Sequence, residues 1–380
     1  MRILVTLLTL TAMVACTAAT RNPVDPADLA NPQVPGIEGA RYWADVEPAN
    51  INELLETSLR QRRSAGFSGP TTVLTLSGGA EDGAFAAGIL NAWSEAGTRP
   101  EFQVVTGVST GALAAPFAFL GSDYDHALRD LYGGLPPERI FARRSILSIL
   151  PNASVKSVDP LKELIEEYLT DEFMEDIAIQ HKRGRRLLIQ SVSLDAQRPV
   201  LWDLGAIAAS GAPNGKEVFR DALLASAAIP GVFPPVLIDV AGEAGVKDEL
   251  HVDGGVISQS AFLPGWAIPT HYTRGARVYS IRNGKVAPEP ETVGLGIVPV
   301  SKRSLATLIK LQGAQDLWNA YLLSKEQGGS FKATWIRTDF NETLEQSFDP
   351  KYMQALFQYG YNRFKMNDLW SSKPPRVGDI

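Results

Sequence analysis

The sequence predicts an α/β fold organised around a mostly parallel sheet. Short apolar runs of strand length are each followed by a glycine turn and then by an alanine-rich stretch of helical length. The order strand, turn, helix, strand, turn, helix is how parallel strands are joined, because a crossover helix must carry the chain back before the next strand can start. The two turns are Ser77-Gly78-Gly79-Ala80-Glu81-Asp82-Gly83 and Gly107-Val108-Ser109-Thr110-Gly111. A chain of 380 residues, 45% hydrophobic and 21% charged, is long enough to bury a large core, and one α/β domain with added pieces fits it.

Taken in order, Ile51, Leu54, Leu55 and Leu59 recur at helical spacing and predict a first helix over about Asn50 to Arg63. Val73 to Leu76 reads as a buried strand, Ala84 to Trp93 as a helix, Glu101 to Thr106 as a second strand, and Ala112 to Leu120 as the helix after the serine turn. Arg186 to Val192, Val236 to Val240, Leu250 to Val252 and Val278 to Ile281 are further strand-like runs. Helices are expected over Ser304 to Lys325 and Pro350 to Phe364, amphipathic enough to pack on the sheet or to form a lid or partner surface. Internal repeats and low-complexity tracts are absent.

The amino terminus has a different character. Arg2 precedes the apolar stretch Ile3 to Ala15, which is followed by Cys16, the single cysteine of the chain. The stretch is too short to span a bilayer and reads as an export signal, and Met13-Val14-Ala15-Cys16 resembles the lipobox of bacterial lipoproteins, in which the cysteine is acylated after cleavage. A plain signal peptide is the alternative. Pro23, Pro26, Pro32 and Pro35 then favour an extended spacer between an acylated end and a folded body. The expected organisation is a signal over 1–15, a proline-rich tether over 16–40, a helical lead-in over 41–72, a catalytic domain over 73–266, and a carboxyl-terminal strand and helices over 267–380. A net charge of −6 leaves no basic footprint, which argues against nucleic acid as a partner.

The first glycine stretch has three readings. A dinucleotide fingerprint would need an acid at the end of the following strand, and Glu101 precedes that strand. A tight strand-to-helix turn with Glu81 and Asp82 near the positive helix end fits equally with a loop whose exposed N–H groups hold an oxyanion. In the second stretch, Ser109 between two glycines on a strand-to-helix turn has the placement of a nucleophile, and the N–H groups of Thr110 and Gly111 open the helix beside it. A serine hydroxyl needs a base. Of the four histidines, His126 and His181 lie in polar, solvated stretches, His251 lies within a strand, and His271 follows the serine as a triad histidine would. Asp253 in Val252-Asp253-Gly254-Gly255 is the other candidate, provided a partly dry site raises its basicity. Phe85, Phe117, Phe119, Leu223, Ile229 and Phe233 are candidates to line an acyl groove, or simply core.

The ordered set of glycine-rich loop, Gly-Val-Ser-Thr-Gly and Asp-Gly-Gly resembles the patatin-like phospholipase family, as do Ser193 to Asp203 and Ala225 to Pro235, over roughly residues 73 to 266. The resemblance implies a three-layer α/β/α fold and a serine acyl hydrolase acting on lipid esters at a membrane surface. It implies Ser109 as nucleophile, Asp253 as base, and Gly78, Gly79 and Ala80 as the oxyanion hole. Gly83, Gly107, Gly111, Gly254 and Gly255 are the motif glycines, and no metal or other cofactor is implied. Together with Cys16 it points to a lipoprotein of the bacterial cell envelope. This chain departs from the family loop by Ala80 at its third glycine and Asp82 at its basic position. The alanine is expected to be tolerated if its φ stays negative. The acid opposes an oxyanion unless it points to solvent or pairs with a cation. The alternatives are a Ser–His–Asp esterase using His271, and a lipid-binding lipoprotein that has lost catalysis.

Overall fold

The computed structural model describes residues 21–143, 156–243, 245–261 and 274–375. The predicted export signal, Cys16 and His271 lie outside the described residues.

A nine-stranded sheet forms the middle layer. Strands β1 (Arg41–Trp43), β2 (Thr72–Leu76) and β3 (Val104–Val108) come first, followed by a separate two-stranded ribbon, β4 (Ala142–Arg143) with β5 (Lys156–Ser157). The sheet continues with β6 (Arg186–Ser193), β7 (Arg198–Asp203), β8 (Val236–Gly242), β9 (Gly245–Asp253), β10 (Arg277–Lys285) and β11 (Ser330–Ile336). Its order is β1-β7-β6-β3-β2-β10-β11, with β9 on β6 and β8 on β9. From β6 to β11 the pairs are parallel, whereas β7, β1, β9 and β8 are joined antiparallel.

The strands alternate their side chains between two helical layers. Leu74, Leu76, Val105 and Ile281 face the larger core, against α2 (Gly83–Glu95), α3 (Thr110–Leu120), α4 (Asp125–Tyr132) and α10 (Pro350–Lys365). Val73, Val104 and Val278 face the other side and meet Leu55 and Leu59 of α1 (Ile51–Ser64) and Leu317 and Ala320 of α9 (Ile297–Glu326). The remaining helices are α5 (Asp159–Tyr168), α6 (Asp171–Lys182), α7 (Leu204–Ala209) and α8 (Gly215–Ser226). The predicted α/β/α architecture is the observed one.

Three sequence expectations need correction. The second strand begins at Val104 rather than Glu101 and runs on through Gly107 and Val108, because its pairing with β2 and β6 continues to those residues. The predicted strands omit β1, β4, β5, β7 and β11. The proline-rich stretch is not a free spacer along its length. From Arg21 onward it lies on the body, with Arg21 paired to Asp195, Pro23 bridging Asp248, Gln33 bridging Ala241, and Val24, Val34 and Ile37 buried. The segment winds through turns and a short 3-10 helix (Asp28–Ala30) and bridges the β8–β9 hairpin at Pro23 and Gln33.

Beneath that hairpin lies a buried polar cluster. Arg41 pairs with Glu249, which also accepts from Ser193 Oγ at 2.8 Å and from His251 Nε2 at 3.0 Å. His251 Nδ1 meets Ser191 Oγ at 3.0 Å, and that oxygen accepts from Trp202 Nε1 at 2.8 Å. Burial raises the Glu249 carboxyl, yet the His251 hydrogen bond and the Arg41 charge overcome this and hold it well below the usual range. Burial keeps His251 neutral despite Glu249. Because removing one member leaves Arg41 charged in a dry site, Glu249→Gln is expected to lower stability by about 3 to 5 kcal/mol in urea unfolding; a loss under about 1 kcal/mol would contradict this.

Candidate active site

One edge of β6 is shared by two strands, and that sharing assembles the site. β3 occupies the edge up to the pair Val108 with Gln190, and β9 takes over at the next residue, Asp253 opposite Ser191. Ser109, leaving β3, and Asp253, ending β9, therefore meet at one point of the sheet although they are far apart in sequence. Gly254 lets β9 press so close that a Cβ there would lie 2.4 Å from the Gln190 carbonyl oxygen.

Ser109 has φ 55 and ψ −125, a left-handed conformation that costs a non-glycine residue roughly 1 to 3 kcal/mol. Its N–H donates to Ser226 Oγ at 3.0 Å, and Ser226 in turn donates to the Gln190 carbonyl at 2.6 Å, which pins the turn to β6. Gly107 and Gly111 are required by contact: a Cβ on Gly111 would sit 2.3 Å from the Leu76 carbonyl oxygen, and one on Gly107 would sit 2.4 Å from that of Gly111. A Cβ on Gly83 would meet Thr110 Oγ1 at 2.3 Å.

Asp253 is 4% exposed. One carboxylate oxygen, Oδ1, accepts the Gly255 N–H at 2.7 Å, while Oδ2 is buried with no hydrogen-bond partner. Burial pushes the carboxyl up to about 7; interaction with the Ser109 hydroxyl and the Gly255 N–H opposes this only in part. Ser109 and Asp253 line the same cleft, and Ser109 faces a second, apolar pocket as well.

The glycine-rich loop sits beside them. The Gly78 N–H donates to the Gln259 carbonyl at 2.9 Å, so this group, expected among the oxyanion donors, is already committed. Among the described residues no hydrogen bond occupies the N–H of Gly79, Ala80 or Thr110. Ala80 has φ 49, not the negative φ expected for a tolerated alanine; it holds the left-handed turn a glycine would take freely. Gly79 packs on β10, where a Cβ would lie 2.1 Å from the Asn283 carbonyl oxygen.

Asp82 is half-buried on the wall of the cleft that Ser109 and Asp253 share, and among the described residues it forms no ion pair. Tyr352 of α10 donates to it at 2.7 Å, and burial raises it to about 7, with the Arg282 charge opposing. Arg282 of β10 is a residue that sequence reasoning missed. It is buried beneath the loop and donates through Nη1 to the Gly78 carbonyl at 2.9 Å and to Ser77 Oγ at 3.2 Å, while Nε has no partner. The loop thus receives positive charge from a strand 200 residues downstream rather than from position 82. Asn283 completes the clamp by donating twice to Ser77, N–H to Oγ and Nδ2 to the carbonyl, both at 2.8 Å. Asp316 of α9, which accepts from the Gln259 and Ser260 N–H groups, is raised to about 6 by burial.

The pocket that Ser109 faces is lined almost wholly by apolar side chains. Of the aromatic and aliphatic candidates, Phe117, Leu223, Ile229 and Phe233 line it, whereas Phe85 and Phe119 are fully buried core. His251 is spent in its own cluster, His126 is exposed, and His181 lies 3.5 Å from Asp203.

The patatin-like phospholipase family model matches residues 74–266. Among solved structures, VipD from Legionella pneumophila aligns at a TM-score of 0.38 and 12% identity, covering 82% of this chain and 70% of that one. Human GIVD cytosolic phospholipase A2 aligns at 0.29 and 11%, covering 71% and 51%. A search of curated proteins found no match.

The raised Asp253 carboxyl has a consequence for stability. Between about pH 4 and 7 the folded protein holds a proton at Asp253 that the unfolded chain releases, so this residue's contribution weakens as pH rises through that window and is flat above it. Asp253→Asn is therefore expected to stabilise the fold, by on the order of 2 to 4 kcal/mol at pH 8 and much less at pH 5. Comparing variant with parent in urea at each pH cancels the opposing titration of His251; a difference independent of pH would contradict the assignment.

Proposed function

The chain belongs to the patatin-like phospholipase family, a family of lipid acyl hydrolases, and on that premise we propose that it cleaves fatty-acyl esters with Ser109 as nucleophile and Asp253 as base. The observation that carries this reading is a strained serine beside a buried carboxylate with an unpartnered oxygen, at the junction of an apolar pocket and an open cleft. In the proposed reaction Asp253 takes the Ser109 proton as Oγ attacks the ester carbonyl. The negative charge moves to the carbonyl oxygen, held by the N–H groups of Gly79, Ala80 and Thr110 in the field of Arg282. The carbon–oxygen bond to the alcohol breaks, the alcohol leaves with the proton from Asp253, and the acyl chain stays on Ser109 in the apolar pocket. Water, deprotonated by Asp253, then attacks the acyl carbonyl; the bond to Ser109 Oγ breaks, Ser109 takes the proton back from Asp253, and the fatty acid leaves.

Asp82 is accommodated in this scheme because a protonated Asp82 adds no charge against the oxyanion. Near pH 7 it is divided between its two forms.

The export reading is part of the same proposal. With Cys16 acylated, five residue steps separate it from Arg21, which is docked on Asp195, a leash with a reach of at most about 18 Å. Such a leash would hold the body against a bacterial envelope membrane. Among the described residues no helix is long and apolar enough to cross a membrane.

Hydrolysis of a nitrophenyl butyrate tests the assignment. Ser109→Ala and Asp253→Asn are each expected to lower kcat about a thousandfold with the fold retained, while His271→Ala stays within about twofold of the parent. Activity should rise with pH as Asp253 ionises around 7, and Asp82→Asn should keep that rise with a higher plateau. Undiminished hydrolysis by Ser109→Ala, or collapse in His271→Ala, would reject the dyad.

A further inference from the structure

The 30-residue helix α9 is two helices in character. Its second half packs on β10 and β11 through Gly313, Leu317, Ala320 and Ser324. Its first half runs along the cleft and turns an apolar side outward. Ile297 is 86% exposed, Val298 77%, Leu308 60% and Leu311 63%, and Leu295 just before the helix is fully exposed. At 100° per residue, Ile297, Leu308 and Leu311 lie opposite the packed line, with Val298 and Leu305 to one flank. The other positions on this outward arc are Val300, Ser301, Ser304 and Gln312. The cations of this half, Lys302, Arg303 and Lys310, project from the other side, where Arg303 pairs with Glu291 at 3.1 Å and Lys310 with Glu289. A soluble helix ordinarily turns its charges out and its leucines in. Here the arrangement is reversed over about 21 Å of helix.

The patch continues into the proposed catalytic cleft. Leu305, Ala306, Ile309 and Lys310 line the same cleft as Ser109 and Asp253. Gln312 donates to the Val256 and Ile257 carbonyls at 3.4 Å, and those two exposed side chains extend the apolar surface to the turn that follows Asp253.

We propose that the outward face of Ile297 to Leu311, with Val256 and Ile257, is a membrane-docking surface that seats the cleft mouth on a lipid bilayer. This deepens the acyl hydrolase reading and rests on it, because that reading supplies the substrate. The choice of a bilayer over a protein follows from position and chemistry. A second copy or another protein seated on this face would cover the cleft mouth, whereas a bilayer seated there supplies the ester to it. The outward arc carries no charge and only short polar side chains, so it fits the interfacial zone of a membrane and needs no anionic headgroup.

The test uses the processed form proposed above, residues 16–380, with Cys16→Ser so that no acyl chain contributes. Co-sedimentation with phosphatidylcholine vesicles is compared between this parent and Leu308→Asp/Leu311→Asp, with Ile297→Asp as a second variant. All the substituted side chains are exposed, and thermal unfolding should match the parent. The expected result is a loss of vesicle partitioning of tenfold or more, nearly independent of salt and of added anionic lipid, with nitrophenyl butyrate turnover within twofold of the parent. Equal partitioning of parent and variants would overturn the proposal. So would a parent that runs as a dimer by light scattering and becomes a monomer in the variants, since the face would then belong to a second copy. A parent that docks through this helix but hydrolyses no ester would sustain the docking surface while rejecting the hydrolase reading, so the two failures are distinct.

Discussion

The fold converges on a single electrostatic constraint: a carboxylate denied water and denied a cation, with a serine hydroxyl for company. Asp253 has one satisfied oxygen and one buried oxygen without a partner, and burial alone keeps its proton affinity near neutrality. A carboxylate in bulk water is too weak a base to help a serine; in the proposed reaction burial makes this one basic enough. The architecture that produces this dryness is the handover on β6, where β3 leaves and β9 arrives within one residue step. The close contacts at Gly107, Gly111 and Gly254 are the steric conditions for that handover.

The rest of the site balances charge around this carboxylate. Arg282 reaches the glycine-rich loop from β10, Asp82 and Asp316 act on its charge, and burial raises the proton affinity of both acids. A family loop with a basic residue carries its charge within the loop. Here the loop carries an acid that burial pushes toward its neutral form, with the Tyr352 hydrogen bond opposing, and the cation comes from the sheet beneath. The exchange keeps a positive field under the loop while leaving the cleft mouth less basic.

The sequence made the two turns, the strands that feed them and the Asp-Gly-Gly strand end legible, because each is local: apolar run, glycine where a Cβ collides, small residues opening a helix. Features set by distant contacts were not legible. Arg282 reads as an ordinary strand residue until its guanidinium is found under Gly78, 204 positions away. The Gly78 N–H reads as free until the Gln259 carbonyl is found on it. Prolines 23 to 35 read as a spacer because the β8–β9 hairpin that receives them lies more than 200 residues on. At Ala80 the sequence suggests the negative φ an alanine prefers, whereas the loop holds it at φ 49 at the start of a 3-10 turn.

The central claim is that Asp253 activates Ser109 and no other serine. Labelling with a fluorophosphonate, followed by peptide mass mapping, measures it directly. The account predicts a single adduct on Ser109 whose rate of formation rises with pH around 7 and falls at least a hundredfold in Asp253→Asn. An adduct on another serine, or labelling of Ser109 at an unchanged rate in Asp253→Asn, would contradict it.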